Sequence, residues 1–423
     1  MPIYQPVIIE LKYINNVMSL KLLTISSMYP GYLQSFYMRF EQLKNLSYDE
    51  HYSLLLNDTT EFVGSYTRTF KRLGIDVKCV IANDYTLQQK WRKENCRKSD
   101  NFKKVLLEQV KSFKPDILSI ENLSFTDIEW LENVRRSVKS IKLIMAFHCS
   151  TLSPKIIERL KWVDFVITCT PGLKEEMENM GIKSYLVYHG FDEDLLSRIT
   201  GGDNLSKNNF IFSGSLSAGA GFHGERIELV ENILKADIDI GLYVNLEKEY
   251  KIRTKQFLFL VNEFFRKIHL DRFRKYIPLL KYGEKPIKNY SRTLLEKQQQ
   301  PAFGIDMFKL FYDSNIVLNF HAEVAGNFAG NMRLFEVTGV GSCLLTDNKS
   351  NLSDLFEADK EIVVYESIED CIEKAKWLFE NNEERIKIAL AGQQKTLSCH
   401  KVEDRCRSIL KIINDELAKE YYN

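Results

Sequence analysis

Arg333 and Glu336 stand three residues apart in the stretch NIVLNFHAEVAGNFAGNMRLFEVTGVGSCLLTD, residues 315–347. At that spacing both side chains fall on one face of a helix. Arg333 would occupy the first helical turn, where unpaired N–H groups already favour an anion. A guanidinium and a carboxylate so placed suit a phosphate and a sugar diol. The same pair on an exposed helix is only a weak ion pair, so spacing alone leaves both readings open. Asn319, His321 and Glu323 lie just upstream, and Gly330 and Asn331 lie just before the pair.

The elements around these residues follow from the apolar pattern. Ile316–Phe320 is an apolar run short enough for a buried strand, and Cys343–Thr346 is a second. A loop and a helix from about Gly330–Asn331 to Gly339 separate them. Strand, helix, strand reads as a right-handed βαβ unit. In such units ligands sit beyond the carboxyl ends of the strands, where His321 and the helix start would be.

The rest of the chain repeats this alternation. In the first half, strands are expected over 20–26, 77–82, 116–120, 141–147, 164–169 and 185–188. Helices are expected near 60–73, 101–113, 127–139, 154–161 and 171–180, with mixed loop and helix over 84–104. Tyr29 and Gly31 fall in a turn after the first strand, and Asn122 and His148 just past two later strand ends. After a polar break at 197–208, a strand at 210–212 ends in Ser213-Gly214-Ser215. Glycines at 219, 221 and 224 follow, then a helix over 225–235 with Arg226 in its first turn, and a strand at 239–244. A Gly/Ser turn between strand and helix, with Arg at the helix start, again suits phosphate. Further helices are expected over 303–313, 369–380, 382–391 and 401–418, with a strand at 361–364. Strands alternating with helices imply doubly wound parallel sheets.

Length and composition set the frame. At 423 residues the chain is expected to form two domains. A net charge of +1 gives no global reason to expect nucleic acid. The eight cysteines form no CxxC pair and read as reduced, buried thiols in a cytoplasmic protein. No apolar run approaches a membrane span, and the first seventeen residues lack the pattern of a signal peptide. Met18 reads as a natural start, which makes residues 1–17 an extension.

Residues 251–292 are set apart by twelve Lys and Arg against three acids, a net +9, so the remainder of the chain carries −8. Phe257, Phe259, Phe264, Phe265, Phe273 and Tyr276 are interleaved with the charges. Most amphipathic helices face a core, so the first expectation is an insertion whose aromatic stripe packs on its own domain. The alternative is a helix lying on an anionic membrane surface.

Asn331, Arg333, Glu336, Gly339 and Gly341, with His400 shortly before Arg405 in the tail, form a pattern that resembles the CgeB-like, group 1 bacterial glycosyltransferases. The resemblance covers about residues 210–412. It implies an α/β GT-B fold, with two Rossmann-like domains whose parallel sheets face a central cleft. The implied parts are an extension (1–17), an acceptor domain (18–200), a linker (201–208) and a nucleotide-sugar domain (209–398). A basic helical insertion (251–292) interrupts the last of these, and a C-terminal helix (399–423) crosses back to the first domain.

The resemblance also implies roles. Glu336 would hold the nucleotide ribose; Arg226, Arg333 and the backbone near Gly214, Ser215 and Gly330 would face the diphosphate. Asn319 and His321 would approach the donor sugar, with Asn331 beside them. Tyr29, Gly31 and Asn122 would meet the acceptor, and His148 would be a base or an acceptor contact. Many retaining relatives place an acid eight residues before the ribose-binding one. Here that position is Phe328, and Glu323 is the substitute.

The implied activity is transfer from a UDP- or GDP-linked sugar to a glycan, lipid-linked or protein acceptor in bacterial surface polysaccharide or glycoconjugate synthesis. No DxD stands at a strand end, and Asp192-Glu193-Asp194 reads as a solvated turn, so no metal cofactor is expected. The expected location is the cytoplasm, with peripheral membrane contact through 251–292. The rival functions are an epimerase of the same fold and a non-catalytic nucleotide- or partner-binding module.

Overall fold

The computed structural model describes residues 20–60, 62–95, 101–199, 208–216, 224–284, 286–321 and 326–422. Glu323, the glycines at 219 and 221, residues 201–207 of the expected linker and the 1–17 extension lie outside them. The described residues divide into two compact units: those up to Arg198 with Phe303–Ile305 and those from Thr396 onward, and those within Ile199–Ala302 with Asp306–Lys395.

The first unit is built on a parallel six-stranded sheet. Its strands are β1 (Lys21–Ser26), β2 (Asp76–Ile81), β3 (Ile117–Ile120), β4 (Leu143–Phe147), β5 (Phe165–Thr168) and β6 (Ser184–Leu186), in the order β2-β1-β3-β4-β5-β6. β3, β4 and β5 are buried at every position, as expected of strands covered on both faces. Successive residues go to opposite layers: Leu22 packs with Phe70 and Ile409, whereas Leu23 packs with Val110 and Leu131. The terminal helix Val402–Tyr422 contributes Val402, Cys406, Ile409, Leu410 and Ile413 to that packing. This is a stripe at helical spacing.

The second unit repeats the plan. Its strands are β7 (Asn208–Leu216), β8 (Gly241–Leu246), β9 (Gln298–Gln299), β10 (Ser314–Asn319), β11 (Cys343–Asp347) and β12 (Val363–Tyr365). They are parallel and run β12-β11-β10-β7-β8-β9. Strand order therefore reverses between β7 and β10. In the first unit it reverses between β1 and β3. These are the positions where open α/β sheets offer ligand sites at the carboxyl ends of their strands.

Several expectations need correcting. The turn at 27–31 is short, because a helix starts at Pro30 and holds Gly31. Pro fits the first helical position, where no N–H partner is lost. A second helix, Tyr48–Asp58, was not expected. Ser47 and Glu50 cap it reciprocally, the S-x-x-E pattern that marks a helix start. The helix expected over 382–391 runs on to Cys399. Cys149 and Cys169 are joined as a disulfide, against the expectation of reduced thiols throughout. They stand just past β4 and β5, whose parallel register pairs Phe147 with Ile167 and so brings positions 149 and 169 side by side. Cys399 is exposed.

The Asp192–Asp194 turn is also not simply solvated. Asp192 is buried and accepts from Arg68 at 2.8 Å, Asp194 pairs with Arg72, and Glu193 lies 3.3 Å from Lys401. Burying a carboxylate requires such pairing.

Candidate functional site

The helix carrying the Arg–Glu pair spans Arg333–Val340 and ends at Gly341, whose φ of 85° closes it in the left-handed conformation. Gln393 fills the space where a side chain at 341 would project, so only glycine fits. Arg333 is the first helical residue. Its guanidinium bonds Glu336 Oε2 at 2.9 Å and the carbonyl of Ser213 at 3.1 Å, and lies 4.3 Å from the centre of the Phe311 ring. The Arg333 and Glu336 side chains are only 17% and 11% exposed. The pair is therefore not the weak surface bridge that spacing also allowed. Burial raises the Glu336 pKa, and the charge of Arg333 opposes the rise.

Arg226 lies in the first turn of the helix Gly224–Lys235. Its guanidinium donates to the carbonyl of Phe320 at 2.7 Å, and its Nε has no partner among the described residues. Burial, then the like charge of Arg333, lowers its pKa to about 10, so it remains a cation at neutral pH. Gly214 lies beneath it: a Cβ there would come within 3.7 Å of the Arg226 guanidinium and 3.3 Å of the Phe212 ring. Two guanidiniums thus converge where β7 and β10 end. Only one of them has a carboxylate partner among the ion pairs of the described residues.

A second line of polar side chains runs across the neighbouring strand ends. Asn331 donates to Asn319 at 2.8 Å, and Asn319 donates to Thr346 at 2.9 Å. The Asn319 carbonyl accepts from the Tyr365 hydroxyl at 2.9 Å. Asp347 Oδ1 accepts from the His321 backbone at 2.9 Å and from His321 Nδ1 at 2.7 Å. A carboxylate only accepts, so Nδ1 carries the proton. Nε2 is then the atom His321 can offer outward, and it has no partner among the described residues. Burial works against the charge on Asp347, but the bonds from His321 and the charges of His321 and Lys349 hold its pKa below the ordinary range. Lys349 approaches Asp347 Oδ2 at 3.3 Å.

Sequence reasoning missed Asp347. The signal was available: it ends the apolar run of β11 as His321 follows that of β10, in adjacent parallel register. Gly330 is buried beside Asn331, and Ser215 lies in β7. Phe328 is half-buried.

The first unit holds the remaining expected residues. His148 follows β4; burial lowers its pKa, so its ring is neutral at pH 7, and Nε2 has no partner among the described residues. Asn122 is occupied locally. It donates to Ser27 at 2.9 Å and caps the turn at 123–125 by accepting from the Ser124 backbone at 3.0 Å. Tyr29 is exposed and precedes the Pro30 helix. A Cβ at Gly31 would come within 2.5 Å of the Phe303 ring, so this glycine admits a packed phenyl ring. Arg405 donates to His400 Nδ1 at 2.7 Å and to the His189 carbonyl at 3.0 Å, which ties the start of the terminal helix to segment 189–191. Among the described residues, Cys149, Cys169 and His189 form a cluster with ligand atoms within 4.8 Å of one another. Both sulfurs are committed to the disulfide, whereas metal ligation by cysteine takes the thiolate.

Glu121 directly follows β3. It stands where strand order reverses in the first unit and is hydrogen-bonded by Ser26. Burial raises its pKa to about 7, against the effect of the Ser26 bond. A carboxyl whose folded pKa exceeds its unfolded one binds protons better when folded. Its stabilising contribution is complete below the unfolded pKa and is lost as pH rises through about 7. Glu121→Gln should therefore stabilise the protein at pH 8 by about 1–2 kcal/mol and give no gain at pH 4. Thermal melting of both proteins at the two pH values measures this, and an equal effect at each would contradict it.

Residues 255–411 match a protein family described as glycosyl transferase-like. No curated protein matches the chain. Three solved structures show the shared fold. A glycosyltransferase from Rickettsia africae superposes with a TM-score of 0.55 at 12% identity, covering 94% of this chain and 99% of that one. Anabaena HepE in complex with UDP-glucose gives 0.53 at 13%, covering 94% and 100%. Sucrose-phosphate synthase from Thermosynechococcus elongatus gives 0.54 at 8%, covering 95% and 100%.

Proposed function

We propose that the chain, whose residues 255–411 match the glycosyl transferase-like family and whose two parallel sheets form the GT-B fold, transfers a sugar from a nucleoside-diphosphate sugar bound by its second unit. The observation that carries this reading is the convergence of Arg226 and Arg333 on the ends of β7 and β10, beside the buried Glu336. The departing nucleoside diphosphate needs its growing negative charge stabilised, and preoriented guanidiniums supply that. Glu336 takes the ribose diol. Asn319, Asn331 and His321 take the sugar end, with His321 oriented by Asp347. His148 serves the acceptor side, and the role of Glu323 as the acid near the sugar belongs to the same proposal. UDP is the favoured nucleotide, supported by the UDP-glucose complex of HepE.

The assignment to the CgeB-like group is part of this reading, supported by Asn331, Arg333 and Glu336. So is a glycan, lipid-linked or protein acceptor in bacterial surface polysaccharide or glycoconjugate synthesis, at the inner face of a membrane reached through 251–292. The described helices include none long and apolar enough to cross a membrane.

The two arginines also make a metal unnecessary for leaving-group departure. Transfer should survive EDTA; activity lost to chelation and restored by Mn²⁺ would sink that part. Glu336→Ala should weaken UDP binding by about 1–3 kcal/mol, the cost of a charged hydrogen-bonding group. Calorimetric titration checks this, and unchanged affinity removes the ribose assignment.

A further inference from the structure

The helix Glu249–Lys267 carries apolar side chains outward as well as inward. Its inward face carries Ile252 but also Asn262, which is fully buried. Asn262 donates to the carbonyls of Leu280 and Gly283 at 2.7 and 2.9 Å and accepts from Arg274 at 2.9 Å. Its outward face carries Tyr250, Phe257, Leu260, Phe264 and Ile268, between 42% and 65% exposed. Those positions recur at helical spacing, so they form one stripe. Tyr276, Leu279 and Tyr282, on the following short turns, are 51% to 70% exposed. Half of the exposed large apolar side chains among the described residues fall between 250 and 282. Of the expected aromatic stripe, Phe257, Phe264 and Tyr276 therefore do not pack on their own domain, whereas Phe259 and Phe265 are half-buried. An exposed patch of this kind marks an interaction surface.

Charge identifies what covers it. At helical spacing Arg253 and Lys267 fall on or beside this stripe and are exposed, Arg253 being paired with Glu249 of the same helix; Lys251 and Arg266 are exposed on its other faces. Residues 251–292 carry net +9 in a chain whose remainder carries −8. A second copy of the chain, meeting through a two-fold interface, would set this basic patch against itself. A surface of anionic headgroups over an apolar interior matches both features together.

We infer that the outward face of Glu249–Lys267 docks on an anionic lipid bilayer, with Phe257, Leu260 and Phe264 entering the headgroup–acyl boundary and the neighbouring cations Arg253 and Lys267 meeting lipid phosphates and carboxylates. This deepens the membrane contact in the proposed function and rests on that reading for its purpose, not for its chemistry. Its test is flotation of the full chain with phosphatidylcholine vesicles, with and without phosphatidylserine. The chain should float with the anionic vesicles, stay behind with the neutral ones, and release in high salt. The triple variant Phe257→Ser, Leu260→Ser, Phe264→Ser should lose vesicle affinity about tenfold or more. Its melting temperature and UDP affinity should not change, since the three side chains are solvent-facing and remote in sequence from the candidate site. Equal flotation with both vesicle types, full binding by the triple variant, or a dimer of the wild type that the variant abolishes would overturn the inference. Lipid binding without any nucleotide binding would instead count against the transferase reading alone.

Discussion

Arg333→Ala should destabilise the second unit by about 3–5 kcal/mol, the cost of stranding a buried charge. Arg333 neutralises Glu336, bonds the Ser213 carbonyl and covers the Phe311 ring. Without it Glu336 keeps a buried carboxyl whose pKa burial already raises. The variant should therefore suffer most at high pH, where that carboxyl must ionise, and recover toward acid, where it is protonated. Adding Glu336→Gln should return part of the lost stability, because the stranded group is then neutral. Thermal melting of both variants across pH measures this. A loss below about 1 kcal/mol would return the pair to an ordinary surface bridge.

Arg226→Met should behave in the opposite way. Arg226 holds its charge against burial and against Arg333, and among the described residues the hydrogen-bond partner of its guanidinium is a backbone carbonyl. Removing that charge relieves both costs, so the melting temperature should hold or rise. Nucleoside-diphosphate binding should fall by about 1.5–3 kcal/mol, the range for a hydrogen bond to a charged group. Stability and binding moving apart is the mark of a group retained for a ligand. A variant that melts early and binds normally would assign Arg226 to the fold instead.

The parts of this account that a sequence could carry are those written in periodicity and spacing. Apolar runs bounded by Gly and Pro located most of the strands in both sheets, and the Arg333–Glu336 interval placed the pair on one helical face. What the interval could not show was burial, and burial turns the pair from marginal to strong. Asp347 was overlooked because its meaning lies in the pairing of β11 with β10, a long-range contact. Glu121 is similar: its raised pKa comes from the layers that close over a strand end. Asn122 and Gly31 show the converse. Both looked available to a ligand, and the structure occupies them with a turn cap and the Phe303 ring. The basic helix buries Asn262, a polar residue, on its inner face, where carbonyls from a neighbouring turn satisfy it. No periodicity reveals those partners.

The proposed transfer requires the second unit to bind a nucleoside diphosphate through Arg226 and Arg333. Calorimetric titration of the full chain with UDP, GDP, dTDP and CMP, repeated on Arg226→Met, tests it most directly. The account predicts saturable binding of at least one diphosphate, led by UDP, weakened in the variant to the extent stated above. No saturable heat with any of the four, or equal affinity in wild type and variant, would contradict it.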